Sequence, residues 1–581
     1  MDFEGKVSLL YQNFWNWRME TSPEFATFCG FHQYDDKLES YDLETIKQKQ
    51  VSVQKFLDEA EKLVQYPDLN IKTKENLELL IAELKVFLKG FNAKGYYLPL
   101  NFLEGPQTEF VRLILAMKYE SIEDYQKLLS RFAALPVQIS QIIDLMKKGI
   151  KEELTFNAVS VVTVPDQLAV LDQSDLLTKR PEDCVFYKPF LSVPDSISSK
   201  KKSLQREAVE SISSNVMPAF KTLKEFLEKE YIKKARSLPS ISTLPGGSTF
   251  YQLCLDFHLG FRLLPKDVHE MGLNEVKRIS GEIEKVMLFL GYTNVSIKDF
   301  TELLRSDSRF FFEKPAELLE AYKDLIFNKI CPKLKKLFKS IPEDELSIEP
   351  SPSVEDDAPI GFYYAGTPDG VRPAVFYFNK DVKSVPKYEM MSLALHEALP
   401  GHHLQQCFNF SVKNFPEFRK YVEDRKYSEI PSRFPLHTAY AEGWGLYSEF
   451  LGSELGLYED KYDYFGYLSQ ELFRAARLVV DTGIHAFNWS QDQAVAYMIE
   501  NTASSKRVIE NEVKRYITWP GQACAYKIGE MKIKSLRKMA ENQLGSNFNI
   551  QDFHEVLLNN YGPLDVLEKK VLEYVDDKKD V

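Results

Sequence analysis

The chain has 581 residues, 44% of them apolar and 13% aromatic, which suits a large packed core and excludes a disordered chain. A formal net charge of −12 disfavours nucleic acid as the main partner, because phosphate binding needs a basic footprint. Six scattered cysteines without a Cys-x-x-Cys pair fit reduced thiols better than a disulfide framework.

In chain order, Met1-Asp2-Phe3-Glu4 lacks the basic start and apolar run of a signal peptide. No apolar segment reaches the roughly eighteen residues of a membrane span. A soluble, cytoplasmic protein with no membrane partner is the expectation. Apolar residues recur at three- and four-residue spacing over Leu43–Val64 and Thr73–Gly90, and this predicts amphipathic helices. The same pattern returns over Ser203–Lys229, Val276–Leu290 and Pro315–Ser340. Arg236–Phe250 reads as a loop with a turn at Pro245-Gly246-Gly247, and Ile341–Pro359 as a connector. Gly361–Asn379, rich in Tyr, Phe and Val, reads as a β-hairpin turning at Pro368-Asp369-Gly370. An exposed strand edge there can take an extended peptide through main-chain hydrogen bonds. The expected fold is mainly α with this small hairpin. Residues 1–345 are read as a helical N-terminal part and 346–581 as the catalytic part of one integrated unit.

The densest chemistry lies in His396-Glu397-Ala398-Leu399-Pro400-Gly401-His402-His403, three imidazoles and a carboxylate in a chain of nine histidines. Imidazole suits Zn2+, and a carboxylate beside the first ligand can act as general base. The run Met390–His396 predicts a helix. In the H-E-x-x-H zinc motif the second histidine follows at i+4, on the same face. Here position 400 is proline, which has no N–H and collides with the carbonyl of His396. A bulge of two residues brings His402 to the ligand position. Without one, His403 lies on the right face but about 10 Å along the axis. His402 is favoured, with His403 the alternative.

A catalytic zinc takes a third protein ligand and keeps one position open. Glu442, in Ala441-Glu442-Gly443-Trp444-Gly445, is the best donor, on a second helix that the flanking glycines let pack closely. Glu449, two turns on, is a weaker ligand candidate or a supporting acid. Arg477, Asp481 and His485 share a helix face at i, i+4, i+8. Asp481 can hold His485 in one tautomer or pair with Arg477, and His485 is a candidate oxyanion donor. Tyr516 or Tyr526 can also donate to an oxyanion. Lys527 or Arg515 can hold a peptide's C-terminal carboxylate. Arg477, Tyr516 and Arg372 complete the substrate-binding candidates.

These motifs, with Val480–His485, Pro520-Gly521-Gln522-Ala523, Arg372-Pro373 and Pro23–Thr27, resemble domain of unknown function 885, a family regarded as zinc metallopeptidases. The resemblance implies one large α-helical catalytic unit, similar in layout to helical gluzincin peptidases, with a channel between two helical halves. The acid that gluzincins carry four residues after the third ligand is absent, since position 446 is leucine. His437, Asp481 or Glu449 must then orient the ligand histidines. The expectation is a zinc peptidase acting on short peptides, with Glu397 as base. A zinc amidase on a non-peptide amide and a non-catalytic helical scaffold are the alternatives.

Overall fold

A computed structural model describes residues 3–342, 344–351, 360–367, 372–413, 415–422 and 426–579. The architecture is mainly α, with one small sheet. The N-terminal helices follow the predicted periodicity. Leu43–Leu63 buries Ile46, Val53, Leu57 and Ala60 on one face, and Asp42 caps it by accepting the N–H groups of Glu44 and Thr45. Ile71–Phe91 is capped by Asn70 in the same way. The predicted helix over 203–229 is a helical run interrupted by π turns at Ile212–Val216 and Leu227–Tyr231. The first precedes Pro218, whose missing N–H cannot join a regular ladder. Downstream of Pro315–Lys323 the helix widens and then tightens into a 3₁₀ segment, Cys331–Lys336, which begins beside Pro332.

The connector contains an unexpected strand. β1 (Leu346–Pro350) runs parallel to β3 (Ala374–Phe378), while β2 (Gly361–Tyr364) pairs antiparallel with β3, giving the order β1-β3-β2. The register Gly361↔Phe378 to Tyr364↔Val375 is that of the expected hairpin, whose turn at Pro368-Asp369-Gly370 lies outside the described residues.

The helices that frame the candidate site are α1 (Pro265–Phe289), α2 (Lys387–Glu397), α3 (His402–Ser411), α4 (Thr438–Glu454), α5 (Lys461–Phe487), α6 (Lys506–Thr518) and α7 (Ala525–Leu544). Nearly every residue of α5 from Phe465 to His485 is buried, so it is the central post rather than an amphipathic surface helix. α4 and α7 approach so closely that a Cβ on Gly443 would stand 2.5 Å from the backbone of Gly529. Buried apolar side chains from Val7 to Val575 form one contiguous cluster. Polar ties cross it as well. Glu104 accepts the N–H groups of Tyr427 and Ser428, and Glu83 pairs with His437 at 3.1 Å. No described helix is long and apolar enough to cross a membrane.

Candidate metal centre

α2 stops at Glu397. Ala398 leaves helical geometry (φ −102°, ψ −100°), and α3 restarts at His402. The proline therefore produces a break between two helices, not a bulge inside one, because residue 400 cannot supply the N–H that His396's carbonyl needs. Gly401 passes so close that a Cβ there would lie 1.8 Å from the His396 carbonyl oxygen. Trp444 of α4 donates its indole N–H to the Pro400 carbonyl at 2.8 Å and fastens the break to the helix that carries Glu442.

This arrangement gathers His396, His402 and Glu442, each offering one ligand atom within 4.8 Å of the others. Both Nε2 atoms face Glu442 Oε2, at 3.5 Å from His396 and 3.4 Å from His402. His396 is buried, whereas the side chains of His402 and Glu442 are 18% and 19% exposed, so the group opens to solvent on one side. His403 turns away. Its ring bonds the Tyr363 hydroxyl of β2 and the Asp344 carbonyl, at 3.2 and 3.1 Å.

The missing acid of the motif is supplied by Glu449. His396 donates from Nδ1 to Glu449 Oε1 at 2.8 Å, which fixes the tautomer and leaves the Nε2 lone pair as the atom available to a metal. Ser392, one turn before His396, donates to the other oxygen of Glu449, and Arg474 lies 3.7 Å from the first. The acid thus sits seven residues past Glu442 rather than four, two helical turns along the same face. Gly445 completes the fit, since a Cβ there would stand 2.7 Å from the His396 ring.

Three carboxylates, Glu397, Glu442 and Glu449, surround two imidazoles. Burial pulls the His396 pKa down, but Glu442 and Glu449 outweigh it and hold it near 9. Burial also pushes Glu442 up, and His396 and His402 outweigh that, keeping it well below the ordinary range. An excess of anions converging on two nitrogen donors suits a divalent cation, and the N₂O set suits zinc. Glu397 ends α2 beside His396, 9% exposed.

Tyr526 of α7 belongs to this neighbourhood, its ring 6.4 Å from that of His396. Its hydroxyl accepts from Arg515 Nη2 at 3.1 Å, which leaves its own proton to donate. Arg477, Arg515 and Tyr516 form a cluster around Glu512, a residue the sequence reading missed although the spacing 512, 515, 516 puts all three on one face of α6. Arg372 donates to the Phe28 carbonyl at 3.0 Å.

Three expected roles are corrected. His485 is fully buried with both ring nitrogens engaged: Nδ1 accepts the N–H of Ile241, and Nε2 donates to the Tyr516 carbonyl. Burial lowers its pKa to about 4, so it is a neutral brace between the 236–246 segment and α6, not an oxyanion donor; the loop expected over 236–250 ends at Gly246, where a helix (Gly247–Leu259) begins. Asp481 neither orients His485 nor pairs with Arg477. It accepts from the Tyr251 hydroxyl at 2.6 Å and from the Gly521 N–H, and burial raises its pKa to about 7. Lys527 is buried among Glu275, Glu471 and Glu530 at 3.0, 2.6 and 2.7 Å, leaving no charge for a substrate carboxylate.

The chain belongs to the family described as "Bacterial protein of unknown function (DUF885)", which it matches over residues 23–571. No curated protein matches it significantly. Two solved structures share the fold, and both are described as "putative lipoprotein". One is from Colwellia psychrerythraea, 29% identical, with a TM-score of 0.90 over 99% of this chain and 100% of that one. The other, from Shewanella oneidensis and described as of unknown function, is 16% identical, with a TM-score of 0.68 over 98% and 100%. The expectation of a cytoplasmic protein is corrected by these relatives, since lipoproteins are anchored to membranes. A lipid anchor needs no spanning helix, so the lack of an apolar span carries no information about compartment.

Proposed function

We propose that the protein is a zinc-dependent peptidase acting on short peptides. The observation that carries this reading is the convergence of His396, His402 and Glu442 on one point, with Glu397 next to His396 in the chain and its charge felt by that ring, and with Glu449 holding the far nitrogen of His396. Zinc held by those three residues would supply Lewis acidity and an acidified water. Glu397 takes the proton from the attacking water and returns it to the leaving nitrogen, so that the amine departs neutral. Tyr526 donates its hydroxyl proton to the oxygen on which negative charge develops, its own oxygen braced by Arg515. β2 has no strand on its outer side among the described residues, and Tyr363 in its middle lies 6.5 Å, ring to ring, from His402. An extended peptide laid along that edge passes the metal group.

The test is Glu397→Gln. The variant keeps zinc, measured by metal analysis after gel filtration, and loses about 10²–10⁴-fold in turnover on a peptide library. A fully active variant removes Glu397 from the chemistry. A wild-type protein that takes up no zinc and cleaves nothing removes the reading altogether.

A further inference from the structure

Beyond Tyr526 lies a charge imbalance that the hydrolytic step does not use. Arg477 of α5 donates from Nε to the Tyr516 hydroxyl at 3.0 Å and from Nη2 to Glu512 at 2.8 Å, but its Nη1 is buried without a hydrogen-bond partner. Arg515 of α6 spends Nη1 on Glu512 at 3.2 Å and Nη2 on Gln522 and Tyr526, while its Nε is likewise buried and unpartnered. Among the described residues, Glu512 is the one carboxylate within ion-pair distance of either guanidinium. Two cations therefore share one anion, although Arg477 is only 6% exposed. Burying a guanidinium with an unmade hydrogen bond and half a counter-ion is costly. A second anion would relieve both deficits.

The position suggests which anion. The Tyr526 ring neighbours both the arginines and the metal group, 4.6 Å from the Arg477 guanidinium carbon and 6.4 Å from the His396 ring. Those two steps span no more than about three residues of extended chain, at ~3.3–3.6 Å each. A planar guanidinium fork matches a carboxylate better than any other group a peptide carries.

We infer that Arg477 and Arg515 bind the C-terminal carboxylate of the substrate, so that the protein removes one to three residues from the C-terminal end of a peptide. This inference rests on the peptidase reading and narrows it to a substrate class: peptides with a free terminal carboxylate. Arg515 also joins that site to the reaction, because the same side chain braces the Tyr526 hydroxyl.

The experiment compares one hexapeptide library prepared as free acids and as C-terminal amides. Zinc-loaded protein trims the acids from the C-terminus by one to three residues, with amides cleaved at least ~10-fold more slowly, the range expected for losing charged hydrogen bonds. Arg515→Gln lowers kcat/KM on the acids by about 10- to 100-fold and removes the acid preference, and Arg515→Lys restores part of it. A second readout needs no turnover: immobilised Glu397→Gln protein retains the acid library over the amide library, and adding Arg515→Gln abolishes that enrichment. Equal cleavage and retention of both libraries, or cuts that leave more than three residues on the C-terminal fragment, overturn the carboxylate site and leave the peptidase reading standing. Bound zinc with no cleavage of either library overturns the peptidase reading, and the carboxylate site falls with it. If Arg515→Gln does not fold, the wild-type comparison of acids with amides decides.

Discussion

Replacing Gly445 with alanine isolates the metal group from the rest of the fold. The added Cβ would lie 2.7 Å from both Cε1 and Nε2 of His396 and 3.0 Å from Cδ2. Ordinary carbon contacts begin near ~3.5 Å, so ring or helix must retreat by roughly 0.7–1 Å. The ring is poorly able to yield, being buried and held at Nδ1 by Glu449 at 2.8 Å. Overpacking of this kind costs about 1–3 kcal/mol, less than the ~5–15 kcal/mol that keeps a typical domain folded. The variant should therefore fold with a slightly lower Tm. The candidate metal group, by contrast, has a displaced donor atom. Zinc affinity should fall about 10–100-fold, as when a supporting contact of a ligand is lost. Turnover should fall by ~10²-fold, the usual effect of misplacing a catalytic group by 1 Å. Competition against a chromophoric chelator measures the first and peptide hydrolysis the second, with thermal unfolding as the control. A folded Gly445→Ala protein with unchanged zinc affinity would refute the assignment of His396 Nε2 as a ligand atom.

Further expectations concern single side chains. His402→Ala should abolish zinc uptake, whereas His403→Gln should retain it, because His403 is turned to Tyr363 and Asp344; equal losses would mean that both rings reach the metal. Glu449→Gln keeps an acceptor for His396 but loses the charge, so zinc binding should weaken about 10-fold or more with the fold intact, and calorimetry showing no change would mean that Glu449 is merely structural. Glu512 gives a pH signature away from the ligands. Burial pushes its pKa up, but Arg515 and Arg477 outweigh it and hold it near 2. A depressed carboxylate stabilises the fold above its unfolded pKa of ~4.3 and loses that contribution as pH falls towards 2. The stability gap between wild type and Glu512→Gln should be full above pH ~5, on the order of 2 kcal/mol, shrink to about half near pH ~3, and close only as pH falls through ~2 in urea titrations. A gap independent of pH would contradict the pairing.

Local order could be read from the chain because its cause is local. Asp42 and Asn70 stand where helices begin, and apolar residues recur with the helical period, so the helices over 43–64 and 73–90 needed no tertiary information. The grouping of His396, His402 and Glu442 was likewise legible as a candidate, since possible metal donors are few residue types and Pro400 forces the local chain path. Tertiary structure decided what depends on contacts between distant segments. β1 pairs with β3 across the connector, and nothing within Leu346–Pro350 announces that partner. His485 and Lys527 have the chemistry of site residues, but the 236–246 segment occupies one and three carboxylates neutralise the other. The choice of Glu449 as the orienting acid, and of His402 over its neighbour, came from how α2, α3 and α4 cross. Ring orientation is set by packing over tens of residues, and sequence spacing reports only which face of its own helix a residue occupies.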